Sequence, residues 1–87
     1  MVYRTFSQLI RDILYTAKDG KTKTSIMGSA NLNNEQYKHY LPALEEVGYL
    51  ERVDSKLRTT GKGFEAMKIL RESALIEENI KRHIKKK

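Results

Sequence analysis

The sequence predicts a mainly helical domain that carries one small β-hairpin and continues into a long C-terminal helix. Three observations lead to this fold class. Apolar residues recur at spacings of three and four in several segments, as they do along one face of a helix. Two short β-type runs flank the turn pair Asp54-Ser55. Beyond Gly63 the chain contains neither glycine nor proline, so nothing interrupts a final helix.

The first two helices are predicted before the middle of the chain. The stretch "FSQLIRDILYTAK" places its apolar side chains on one stripe, which predicts a helix at 7–18 with Ser7 as its N-cap. Gly20 is expected to end it. A shorter second helix is predicted at about 23–30, with Thr24 as its N-cap.

The third helix is predicted at 34–47, with Asn33 or Asn34 as its N-cap. Pro42, the only proline, lies inside it and removes the hydrogen bond to the carbonyl of Lys38. Because that carbonyl is expected on a solvated face, water can satisfy it, and we expect a modest bend. The apolar positions that share a face and are expected in the core are Tyr37, Leu41, Leu44 and Val47.

The runs "YLERV" and "KLRTT" predict the hairpin, and Thr60 is the expected N-cap of the last helix. That helix is too long for one small domain to cover, so we expect it to pair with its copy in a dimeric antiparallel coiled coil. The isoleucine spacing alone fits a parallel arrangement as well. The alternative is a shorter helix with a frayed end. The expected dimer contacts are Ile69, Ser73, Ile76, Ile80 and Ile84. Residues 1–63 would then form one domain and 64–87 the dimerisation helix.

Composition limits the class of protein. The chain has 87 residues, which fits one small domain, and it has no cysteine, which excludes disulfides and cysteine-based zinc sites. The formal net charge is +6, which favours a polyanionic partner such as nucleic acid. Residues 61–87 contain eight Lys/Arg and four Glu, so much of that charge could simply be a solubilising end. No apolar run could span a membrane and no secretion-signal pattern opens the chain, so we expect a cytoplasmic, nucleoid-associated protein.

The segments "SIMGSANLNNEQYKHYLPALEEVGYLER" and "KLRTTGKGFEAMK" resemble the small archaeal winged helix-turn-helix proteins over about residues 6–70. The long last helix is similar to that of the archaeal ten-kilodalton chromatin proteins, which dimerise through a C-terminal coiled coil. Pro42 and Gly61 depart from the family pattern. The residues that match it are Ala30, Asn31, Leu32, Leu41, Leu44, Gly48, Tyr49, Leu50, Thr60 and Gly63.

The resemblance implies that the amino half of the third helix enters the major groove of DNA and that the hairpin is the wing. Asparagine, glutamine and lysine side chains can read base edges, whereas wing cations and the start of the second helix would contact phosphate. The alternative for each is an ordinary solvated surface. The candidate DNA-binding residues are Lys23, Thr24, Ser25, Asn33, Asn34, Gln36, Lys38, His39, Tyr40, Arg52, Lys56 and Arg58.

Catalysis has little support in this sequence. His39 and His83 lie far apart, and no acid–base–nucleophile set, phosphate loop or metal-ligand cluster is evident. We therefore expect no enzyme activity, cofactor, metal or small-molecule substrate. The expected function is that of a dimeric transcriptional regulator, with the third helix (34–47) in the major groove and the wing (49–60) on phosphate or in the minor groove. The alternatives are a chromatin-like protein that coats DNA and a winged helix used for protein contact.

Overall fold

The computed structural model describes residues 5–70, 78 and 80–82. Their elements follow the predicted order of three helices, a hairpin and a further helix. A single 3₁₀ turn, Ala17–Asp19, extends the first helix, and residues 78 and 80–82 are also helical. None of the described helices is long and apolar enough to cross a bilayer. The bounds are α1 Phe6–Thr16, α2 Lys23–Ser29, α3 Asn34–Glu46, β1 Leu50–Val53, β2 Lys56–Thr59 and α4 Gly61–Ile69.

Helix α1 begins one residue earlier than predicted and α2 begins at 23 as predicted, but in both the cap is a threonine two residues upstream of the predicted cap. Thr5, and not Ser7, caps α1: its Oγ1 accepts from the amide of Gln8 at 3.1 Å. In turn, Gln8 Oε1 accepts from the Thr5 amide at 2.9 Å, which completes a capping box. Thr22, and not Thr24, caps α2: its Oγ1 accepts from the amide of Ser25 at 3.4 Å.

Helix α3 begins after Asn33, as predicted, and passes through Pro42 without interruption. Pro42 and Lys38 are both exposed, so the missing backbone bond faces solvent. A proline in a helix interior costs about 3 kcal/mol, and exposure of this face lets water satisfy the freed carbonyl and reduce that cost. The bend at Pro42 stays a prediction.

The hairpin is antiparallel, with Leu50 opposite Thr59 and Arg52 opposite Leu57. The predicted turn lies at Asp54-Ser55, where Asp54 adopts the left-handed backbone region at φ 57°. Lys21 forms an isolated antiparallel bridge with Leu57 of β2, with amide–carbonyl bonds of 3.0 and 2.9 Å. This bridge attaches the loop before α2 to the hairpin.

One apolar core lies between the helices and the inner face of the hairpin, and Ile80 belongs to it. Ile80 is completely buried within its own chain, and Lys81 Nζ lies 4.9 Å from the ring centroid of Phe6. Ile80 therefore needs no partner helix to leave solvent, contrary to the prediction, because this part of the chain packs on the domain. Ile69 is 44% exposed. Ser73, Ile76 and Ile84 lie outside the described residues.

The start of α4 lies tightly against the hairpin. The Thr60 amide donates to the Tyr49 carbonyl at 3.0 Å, and its hydroxyl donates to the Gly48 carbonyl at 2.6 Å. The same hydroxyl oxygen accepts from the Gly63 amide at 3.0 Å, so Thr60 caps the helix as predicted. A Cβ at position 63 would collide with the Tyr49 carbonyl and lie 2.7 Å from Thr59 Cγ2. Position 63 therefore requires glycine for packing.

Gly63→Ala should lower the free energy of unfolding by about 1–3 kcal/mol, because overpacking forces the hairpin away from α4. Gly61→Ala is the matched control, since a Cβ there meets nothing within 4 Å. That variant should lose no stability and gain up to about 1 kcal/mol from reduced backbone freedom. Urea unfolding of the two variants measures both effects. Equal stability of the two would contradict the close approach.

Candidate nucleic-acid interface

Helix α3 has an outward face and an inward face. The outward face consists of exposed residues: Asn34, Glu35, Lys38, Pro42 and Glu46. Leu41, Ala43 and Leu44 are buried on the inward face. The amino half of the outward face is therefore polar and open to solvent, as the prediction of a reading surface requires.

Two of the predicted reading residues on α3 are already engaged in its N-cap. Asn33 Oδ1 accepts from the amide of Gln36 at 2.8 Å, and Gln36 Oε1 accepts from the amide of Asn33 at 3.0 Å. This reciprocal pair is a capping box. The side chain of Gln36 thus has a structural role at the start of α3.

Tyr40 lies on the side of α3 that faces α1, contrary to its prediction as a groove residue. Its ring meets the Phe6 ring edge-on, with centroids 5.8 Å apart and an interplanar angle of 75°. The helical period explains this, since Tyr40 directly precedes the buried Leu41 and lies near the core side. His39 is half-buried, and its Nε2 lies 3.2 Å from Oε1 of Glu35.

Tyr37 was predicted as a core residue, but it is only partly buried and lies at the edge of the outward face. Lys23 Nζ lies 5.2 Å from the centroid of its ring, which is within cation–π distance. Burial raises the pKa of the Tyr37 phenol; Arg52 lowers that pKa and Glu45 raises it to a smaller extent. The phenol therefore stays protonated at neutral pH and can donate a hydrogen bond.

The two wing arginines lie on opposite faces of the hairpin. Arg52 pairs with Leu57 in the strand register, so it shares the face that packs on the helices. Its Nη2 lies 3.4 Å from Oε1 of Glu45 on α3. Arg52 thus reaches α3 at Glu45, near the carboxyl end of the helix.

Arg58 shares the other, solvent face of the hairpin with Glu51, its partner in the register. Its Nη2 and Nε donate to one oxygen of Glu51, Oε2, at 2.6 and 3.1 Å. Lys56 belongs to this same exposed face. DNA bound against α3 would therefore lie nearer to Arg52 than to Arg58 or Lys56.

The predicted phosphate site at the start of α2 is exposed and is made of Lys23, Thr24 and Ser25. The amide of Ser25 donates to Thr22 Oγ1 at 3.4 Å. Only Lys23 among the three is connected to α3, through the ring of Tyr37. Arg52 of the hairpin also acts electrostatically on Tyr37, whose pKa it lowers.

These contacts define a surface that we call the α3–wing strip. It consists of Lys23, Asn34, Tyr37, Lys38 and Arg52. It combines a protonated phenol, an amide and three cations along α3, a composition suited to phosphates and base edges. Sequence reasoning missed Tyr37, because a tyrosine at a core position of the helical period also satisfies an apolar pattern. Within the described residues no cluster of three potential metal ligands occurs.

Three helices, the bridge at Lys21 and the hairpin define a helix-turn-helix domain with a wing. The model of the winged helix-turn-helix family matches residues 3–78. The chain therefore belongs to the winged helix-turn-helix family, whose members typically place a helix in the major groove. No curated protein matches it. The narrower resemblance to the archaeal ten-kilodalton group stays a prediction, as does the domain boundary at 63–64, across which the family match continues.

Gln36→Ala should remove half of the capping box and lower the free energy of unfolding by about 0.5–1 kcal/mol. Gln36→Glu is the matched control, because a glutamate carboxylate can also accept from the Asn33 amide. Thermal unfolding followed by circular dichroism measures the difference. Equal midpoints for the wild type and the alanine variant would show that the box contributes nothing.

Proposed function

We propose that this protein is a transcriptional regulator that binds double-stranded DNA through the α3–wing strip. The observation that carries the proposal is that cations from two other elements reach α3. Lys23 lies over the ring of Tyr37 in the amino half of the helix, and Arg52 of the hairpin pairs with Glu45 near its carboxyl end. Cations from the loop side and the hairpin side thus flank a helix face with polar side chains. A helix that enters the major groove needs this arrangement, because the two phosphate backbones lie on either side of it.

Each residue of the strip has a proposed role. Asn34 and Lys38 would read base edges, since an amide can pair with adenine and an ammonium with guanine. Lys23 and Arg52 would contact phosphates, and the Tyr37 hydroxyl would donate to a phosphate oxygen. Gln36 and His39 would support the helix rather than read bases, because their side chains bond to Asn33 and Glu35.

A regulator fits the charge distribution better than a protein that coats DNA. Residues 5–70 contain ten Lys/Arg and eight Asp/Glu, so the described domain is only weakly basic. Glu35 and Glu46 lie on the outward face of α3, where they would repel a phosphate backbone that lay along it. Weak overall charge with specific polar contacts favours selection of sequence over tight coating.

The second candidate is a winged helix that contacts another protein. The exposed carboxylates Glu35 and Glu46 and the ion pairs of both wing arginines favour it. Titration of duplex binding against KCl separates the candidates. A regulator should bind a duplex enriched from a random pool at least tenfold more tightly than a mixed-sequence duplex. A coating protein should bind both duplexes equally. A protein-contact module should bind neither.

We propose no enzymatic activity, metal or cofactor for this chain. The strip contains no histidine, serine or carboxylate that could act as a base or nucleophile. A DNA-binding role also supports a nucleoid-associated location in the cytoplasm.

Arg52→Ala should weaken binding to a duplex enriched from a random pool and lower the slope of log K against log salt on that duplex by about 0.9, the value for one lost phosphate contact. Arg58→Ala is the matched control, because it removes the same charge from the opposite face of the hairpin. Fluorescence anisotropy at several KCl concentrations measures both. A larger effect of Arg58→Ala would contradict the role of the α3-facing side of the hairpin.

We further propose that the regulator acts as a dimer that contacts its copy around Ile69 of α4. The exposed Ile69 supports this proposal, as does the common use of paired half-sites by helix-turn-helix proteins. A coiled coil that adds Ser73, Ile76 and Ile84 stays a prediction.

Ile69→Asp should convert the dimer to a monomer, because a charge in an apolar contact is desolvated without a partner. Phe64→Asp is the control: Phe64 is 40% exposed on the same helix but lies outside the predicted stripe. Sedimentation equilibrium gives the mass of each variant. A wild type of monomer mass, or loss of the dimer in the control alone, would contradict the proposal.

A further inference from the structure

One carboxylate lies among the cations of the α3–wing strip. Glu45 projects from α3 toward the hairpin, and its Oε1 lies 3.4 Å from Nη2 of Arg52. Glu45 also acts on Tyr37, whose pKa it raises while Arg52 lowers it. The side chains of Tyr37, Glu45 and Arg52 therefore interact electrostatically where α3 meets the hairpin.

We propose that Glu45 is a selectivity-determining residue that lowers the affinity for non-cognate DNA by holding the guanidinium of Arg52. The inference rests on the proposed function, since it assigns a role to a residue of the same surface. In the free protein the guanidinium of Arg52 is bound to a carboxylate. A phosphate that takes two parallel hydrogen bonds from Arg52 must compete with Glu45 for the guanidinium, and a duplex that fits α3 poorly does not bring a phosphate close enough.

The weak contact between Arg52 and Glu45 favours the exchange of carboxylate for phosphate once a phosphate is in place. Arg52 is 60% exposed, and a single nitrogen–oxygen contact of 3.4 Å joins it to a carboxylate that is 28% exposed. An exposed ion pair of this kind contributes little to stability. Arginine and phosphate can form two parallel hydrogen bonds of charged groups, which are stronger. The Glu45 carboxylate thus competes with a loosely placed phosphate for Arg52, and a well-placed phosphate displaces it.

The other wing pair does not have this property. Arg58 donates two hydrogen bonds to Glu51, at 2.6 and 3.1 Å, and both residues lie on the hairpin face away from α3. Glu46 follows Glu45 in the chain but lies exposed on the outward face of α3. Glu45 is therefore the carboxylate that contacts a cation of the strip.

The test uses the full chain and a short mixed-sequence duplex, with affinity measured by anisotropy over a range of KCl. The variants are Glu45→Gln, Glu46→Gln, Arg52→Ala and the double variant Glu45→Gln/Arg52→Ala. Glu46→Gln removes the same charge at the next position of the helix, so it reports the effect of net charge. Thermal unfolding of each variant verifies that these surface changes leave the fold intact.

Glu45→Gln should bind the duplex roughly three- to fivefold more tightly than the wild type, the range expected from release of an exposed ion pair. The salt slope should steepen by about 0.9, for one additional phosphate contact. Glu46→Gln should give a smaller gain and no change of slope. In the Arg52→Ala background, Glu45→Gln should gain no more than Glu46→Gln does in the wild type.

Equal gains from Glu45→Gln and Glu46→Gln would overturn the inference, because net charge would then explain both. A gain that persists in the Arg52→Ala background would also overturn it. Either result, with a wild type that binds the duplex, leaves the proposed function intact. If neither the wild type nor Glu45→Gln binds any duplex, the proposed function fails and the inference fails with it.

Discussion

The junction between β2 and α4 is the constraint on which the position of the hairpin depends. Thr59 donates a buried hydrogen bond of 2.6 Å to the Leu14 carbonyl of α1, and Thr60 donates to the carbonyls of Tyr49 and Gly48 just after α3. The close approach of Gly63 leaves no room for the hairpin to slide. Buried bonds of this kind are expensive to leave unmade, so the hairpin has one position relative to α1 and α3.

A fixed hairpin gives its two faces different roles. Because side chains alternate along a strand, the face that contains Leu57 and Thr59 packs on the helices, and Arg52 must share it. Arg52 then meets Glu45 of α3, whereas Arg58 meets only Glu51 of its own hairpin. The asymmetry of the wing thus follows from strand register and from the junction at Thr59 and Thr60.

Much of the fold could be predicted from the sequence because its signals are local. The Asn33 and Thr60 caps, the turn at Asp54-Ser55 and the buried stripe of α3 each depend on neighbouring residues. The bridge at Lys21 could not be predicted, since it depends on backbone bonds to Leu57, far along the chain. The burial of Ile80 depends likewise on tertiary packing, and the isoleucine spacing by itself fitted a partner helix equally well.

The candidate site was harder to predict because exposure and pairing decide it. Tyr37 and Tyr40 both lie near the edge of the core stripe of α3. The Phe6 ring packs against Tyr40, whereas Lys23 lies over the ring of Tyr37. Composition predicts a basic protein, yet in the described domain Glu45 and Glu51 pair with the two wing arginines. Long-range attraction from such a surface is weak and is screened by salt. Under the proposed function, selectivity would therefore arise at short range, where a well-placed phosphate can displace a carboxylate and a distant one cannot.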